Sequence, residues 1–235
     1  MGGWTSGDLQ AEFERRLDDL LAECCPDWQA PEPLSGDQRL VAFRQRNAKR
    51  TQLGDVLTAR PDVAVAAAGR LLDVIACDED LSRNRQLIEP LVTAVGRRTV
   101  QRHLISVIET GPEHKKVCAM HAWYWSQVTL VYESFQDFDA RRPTPASRAA
   151  AADVADLRGQ YRIACLNAFV ACQYVPTRER LADGFLLVDE YYPPHLRDLV
   201  ARALAIAEAD PHRYKNLLAR QDEEIGLDQI GSAST

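Results

Sequence analysis

Apolar residues recur along this chain at steps of three and four, and almost no segment alternates apolar with polar residues between turn residues. The pattern predicts helices and gives strands little support. Over residues 6–23 the apolar positions are Leu9, Phe13, Leu17, Leu20 and Leu21, behind a Ser6-Gly7-Asp8 start of helix-capping type. Pro26 and Pro33 bound a break. A second helix is expected from 35 to about 58, and a third opens at Pro61 and runs to the Cys77-Asp78-Glu79-Asp80 turn. Helices over 81–95 and 97–110 are divided by Gly96. After Gly111-Pro112-Glu113, with proline suited to a first turn, another helix is expected to extend to Phe135. Residues 137–153, with prolines and a run of alanines, read as a long loop. Helices are then expected over 156–173, 177–191, 194–208 and 211–223, followed by a flexible tail at 226–235.

Short helices joined by Pro/Gly turns invite a search for internal repeats. Residues 115–123 superpose on 161–169 at an offset of 46, and 100–114 on 181–195 at an offset of 81, both members of the second match ending in Pro-x-His. Helix-pair starts near 81, 113, 159 and 193 follow from these matches. Lys116-Val117-Cys118-Ala119-Met120 and Arg162-Ile163-Ala164-Cys165-Leu166 share an order of basic, aliphatic, small and large apolar residues. On these residues the chain resembles HEAT-like α-helical repeat proteins from about 60 to 222. The resemblance implies an all-α fold, a right-handed α-α superhelix of antiparallel helix pairs. Residues 1–60 would form an N-terminal helical cap and 61–225 the repeats. Helix pairs of this kind bury their apolar faces only by stacking on neighbours. Expected core residues are Leu104, Ile105, Val117, Met120, Tyr124, Val128, Ile163, Leu166, Val170, Leu186 and Leu187.

Composition narrows the partners. The chain has 235 residues, 28 Lys+Arg and 34 Asp+Glu, a formal charge of −6. That balance disfavours a general nucleic-acid surface. No apolar run has the length of a membrane span, and no signal-peptide core is visible. Six cysteines lie scattered along the chain, several of them within apolar helical patterns, which suits reduced thiols and a cytoplasmic setting. Arginine supplies 24 of the 28 positive charges, a coding bias that hints at a bacterial source.

The richest local chemistry lies between His114 and Ser126. His114, Cys118 and His121 stand at i, i+4 and i+7, a spacing that lets three zinc-type ligands face one way. Trp125 and Tyr132 share that stripe, however, and no CxxC, HExxH or carboxylate-rich motif completes a site. The packing reading outweighs the metal one, and no cofactor is expected. A Cys118–His121 thiolate–base pair fails for want of an oxyanion hole or an orienting acid. The run Arg44-Gln45-Arg46-Asn47-Ala48-Lys49-Arg50 reads as a solvated face.

Three functions from different classes follow, the third being a small-molecule or metal pocket between helices at His114, Cys118 and His121. The first is a non-enzymatic scaffold whose second helices, 97–110, 177–191 and 211–223, line a concave surface for a protein partner. Arg98, Arg102, Arg178, Asp183, Tyr191 and Arg213 would form its mixed-charge groove. The second is implied by the resemblance alone: HEAT-like alkylpurine DNA glycosylases combine tryptophans with a carboxylate, roles for which Trp123, Trp125, Asp153 and Asp156 are available. The acidic balance weighs against it, since duplex binding draws on many phosphate contacts.

Overall fold

The helical periodicity is realised. A computed structural model of the chain describes residues 6–31 and 37–220, and among these it has twelve α-helices, short 3₁₀ turns and no strand. They divide into two compact units, Met1–Ser126 and Gln127–Thr235.

The first unit holds α1 (Ser6–Cys24), α2 (Gln38–Ala59), α3 (Pro61–Ile75), α4 (Arg85–Val95), α5 (Arg97–Thr110) and α6 (Glu113–Ser126). Neighbours in sequence pair most closely, α3 with α4 and α5 with α6, while α2 packs on α1 and α4. Local chemistry sets the boundaries. Asp37 caps α2 by accepting the Arg39 N–H at 2.8 Å, and Pro61 occupies the first turn of α3. Gly96 joins α4 to α5 at φ 84°, a conformation that a side chain would strain. Leu9, Phe13, Leu17, Leu20 and Leu21 are all buried, as the spacing on α1 predicts.

Two expected helices of this unit change length. The one expected from 81 begins at Arg85, because Asp80 Oδ1 accepts the N–H groups of Ser82 and Arg83 and winds that stretch into a turn. The one expected to reach Phe135 ends at Ser126. There the Ser126 carbonyl accepts hydrogen bonds from Arg97 Nη1 and, at 3.0 Å, Gln101 Nε2, so side chains of α5 close the helix. β-Branched Val128, Thr129 and Val131 then favour extended backbone over helix. The expected core stripe is corrected accordingly. Met120 is buried, but Tyr124 is 61% exposed, while Val117 and Val128 are half-buried.

The second unit holds α7 (Phe135–Asp139), α8 (Pro145–Asp153), α9 (Ala155–Ala171), α10 (Val175–Leu181), α11 (Arg197–Glu208) and α12 (Lys215–Ala219). Its core packs α10 and α11 on α9, with Phe169 against Phe185 at 5.1 Å and against Tyr214 at 5.4 Å between ring centres. Leu166, Val170, Leu186 and Leu187 are buried as expected, and Ile163 is half-buried. The loop expected at 137–153 contains α8, whose Pro145 start is capped by Thr144 accepting the Ser147 N–H at 3.2 Å.

The helix expected over 177–191 stops at Leu181. Beyond it, 3₁₀ turns at Ala182–Gly184 and Asp189–Tyr191 flank extended backbone that buries Phe185, Leu186 and Leu187. Gly184 explains the break: a Cβ there would lie 2.5 Å from Cys165 Sγ, so only bare backbone fits against α9. The offset-81 match therefore pairs α-helix with a stretch of 3₁₀ turns and extended backbone that is α-helical only at Leu181. The offset-46 match is different. Cys118, Ala119, Met120, Ala122 and Trp123 of α6 are buried, and so are their counterparts Ala164, Cys165, Leu166, Ala168 and Phe169 of α9. The start expected at residue 35, the end at 223 and the tail at 226–235 lie outside the described residues.

Candidate functional site

On α6 the Cys118 thiol faces its own helix, 3.7 Å from the His114 carbonyl, and burial pushes its pKa well above the ordinary thiol range. His114 is held below its ordinary value by burial, with Lys115 beside it adding to the effect. Among the described residues no group of three or more His, Cys, Asp or Glu is arranged to hold a metal ion. Trp123 is buried, and Trp125 donates its indole N–H to the Leu81 carbonyl at 2.6 Å while Arg85 lies 5.3 Å over its ring. Both tryptophans belong to the first unit, Asp153 and Asp156 to the second.

The basic run on α2 is not a solvated face. Arg46 pairs with Glu14 at 3.1 Å and Lys49 with Asp18 at 2.6 Å, tying α2 to α1. Arg50 and Asp78 are each 1% exposed, and the guanidinium grips the carboxylate twice, at 2.9 Å through Nε and 2.5 Å through Nη2. Nη1 donates to Asn47 at 2.8 Å, and the Phe13 ring lies 4.6 Å below. Burial pushes the Asp78 carboxyl up, against the pull of Arg50. This centre fastens α1, α2 and the α3–α4 turn. Sequence reasoning passed over it because its partners lie 28 residues apart. A signal was present, since Glu14 and Asp18 on α1 face the matching cations of α2.

The six residues expected to bind a partner fall into both units. On α5, Arg98 is half-buried and Arg102 exposed. Arg178 is turned inward and donates to the Cys172 carbonyl through both Nε and Nη2. Tyr191 lies 4.7 Å beneath the Arg162 guanidinium. Asp183 and Arg213 line one cleft of about 360 Å³, where Arg213 holds Asp210 at 2.8 Å and Glu179 at 3.1 Å. The structure thus brings Asp183 and Arg213 together and commits Arg178 to the fold.

A surface that the sequence reading missed lies at the start of the second unit. Phe135 is 79% exposed and Phe138 57%, and with Tyr132 they form one aromatic cluster. Tyr132 meets Phe138 edge-on at 5.2 Å, and Phe135 lies 6.3 Å from Phe138. The backbone beneath is fastened at several points. Val131 donates to Ser147 Oγ at 3.0 Å and accepts from the Thr144 N–H at 2.8 Å. Ser134 caps α7 by accepting the Asp137 N–H, and the Arg142 N–H closes the turn onto the Asp137 carbonyl at 2.7 Å. Within the expected helix Phe135 would have pointed into a core, while Phe138 falls in the expected loop; the helix instead ends at Ser126 and both rings are exposed. No protein-family model, curated protein or solved structure matches the chain.

Proposed function

We propose that this chain is a protein-binding scaffold, an array of HEAT-like helix pairs, and that its principal contact is the aromatic cluster at 132–138. The supporting observation is that two phenylalanines are largely exposed on backbone already fixed by caps and by Ser147. Exposed aromatic clusters mark interaction surfaces, and aromatic anchors held in place before binding lose little entropy on association. The shared burial pattern of α6 and α9 favours the repeat reading. Arg102, Asp183 and Arg213 supply additional charged contacts in this reading, and Arg178 does not. The test is co-purification of partner proteins from the source cells with wild-type chain and with Phe135→Ala/Phe138→Ala. The double variant should lose the proteins retained by wild type while melting within about 2 °C of it, because neither ring is buried. Equal retention by both chains would remove the cluster from the reading.

A further inference from the structure

A cleft of about 340 Å³ lies between one face of α2 and one face of α4, near the lower size limit of small-molecule sites. The helices come close at Gly54, where a Cβ would stand 2.5 Å from the Gln86 carbonyl oxygen. In a regular helix that carbonyl would accept the N–H of residue 90, but residue 90 is proline and has none. A glycine on one helix and a proline on the other thus set a backbone acceptor in the cleft wall.

The hydrogen-bond inventory of the lining is one-sided. Thr58 spends its hydroxyl proton on the Gly54 carbonyl at 2.8 Å, and Thr93 spends its own on Glu89 at 2.9 Å, so both oxygens retain only lone pairs to offer. The Gln86 amide gives its N–H to Thr51 at 3.1 Å, while its Oε1 is buried without a hydrogen-bond partner. Such an oxygen is a standing cost that a donor entering the cleft relieves once the half-exposed side chain swings to meet it. Asp55 has no ion-pair partner among the described residues, and Glu89 shares its carboxylate with Arg85 alone. No Lys, Arg or His lines the cleft, and Leu57 and two prolines supply carbon surface.

We propose that the α2–α4 cleft binds an alkylguanidinium group. A planar cation with five N–H donors reaches acceptors on both helices at once, and its methylene stem packs on the prolines. The same chemistry comes from two sources, a free small guanidine or the arginine side chain of a peptide. This site is independent of the aromatic cluster and stands or falls without it.

The test is an amide chemical-shift titration of the ¹⁵N-labelled full chain with butylguanidinium, with N-acetyl-arginine amide and with N-acetyl-norleucine amide as the uncharged control. The first two should shift amides at 51–58 and 86–93 saturably, with Kd on the order of millimolar for so few contacts. Raising salt should weaken both. Asp55→Asn/Glu89→Gln should raise Kd at least about fivefold, the loss of roughly 1 kcal/mol of charge attraction; both carboxylates are exposed, and unchanged shifts elsewhere confirm the fold. Binding of butylguanidinium alone assigns the cleft to a free guanidine, and equal binding of the blocked arginine assigns it to a peptide. No shift with either cation, equal shifts with norleucine amide, or undiminished binding in the double variant would overturn the proposal.

Discussion

Arg50 shows why a charged residue cannot be placed from its neighbours in sequence alone. On α2 it belongs to a run that reads as solvated, yet it is 1% exposed, and a guanidinium leaves water at a cost of several kcal/mol unless its donors are filled. Asp78 and Asn47 fill them and the Phe13 ring covers one face. Arg50→Ala should therefore lower stability in urea unfolding by about 3–5 kcal/mol, with Asp78 left buried and unpaired, whereas Arg50→Met/Asp78→Leu should lose much less. A loss below about 1 kcal/mol for Arg50→Ala would contradict a buried ion pair. Cys165 carries a second prediction. Burial pushes its thiol up to about 12 from an ordinary value of 9.0, so the folded chain keeps a proton that the unfolded chain releases. Its contribution is full below pH 9 and is lost as pH rises towards 12. Wild-type stability should fall across that window, and Cys165→Ala should flatten part of the slope; an equal slope in both chains would count against it. Arg178 and Arg102 complete the contrast. Arg178→Glu should lower the melting temperature because it strips the Cys172 carbonyl, and exposed Arg102→Glu should leave it unchanged.

At the scale of elements, periodicity foretold α1, α3, α5 and α9 closely, because their apolar faces are continuous and their ends carry Pro, Gly or turn residues. It failed on α6, where apolar residues surround most of the helix and the spacing alone does not choose a face. The structure buries Cys118, Ala119, Met120, Ala122 and Trp123 and leaves Tyr124 outside. Met120→Ala should cost about 2–5 kcal/mol and Tyr124→Ala under about 0.5 kcal/mol by the same denaturation measurement. The reverse order would restore the face expected from spacing. The helix end at Ser126 was illegible for another reason: its carbonyl is closed by Arg97 and Gln101, side chains 29 and 25 residues away. The stretch beyond it depends on Ser147, so Ser147→Ala should speed hydrogen exchange at the Val131 amide while α9 keeps its protection. Unchanged exchange at Val131 would show that the other fastenings suffice.

For the whole molecule, the pattern announced an all-helical chain, and no described helix is long and apolar enough to cross a membrane. The candidate site was far less legible. Phe135 looks like a core residue in sequence and lies at the surface beyond the break after Ser126, on a segment whose Val131 N–H donates to the distant Ser147 hydroxyl. The proposed function follows from that exposure, so the account rests on the cluster touching another protein. A photoreactive benzoylphenylalanine placed at position 135, and separately at positions 102 and 213, tests this most directly when each chain is irradiated in the source cells. The account predicts a discrete heteromeric adduct from position 135, sharply reduced when Phe138 is replaced by alanine. Adducts from position 102 or 213 with none from position 135 would contradict it.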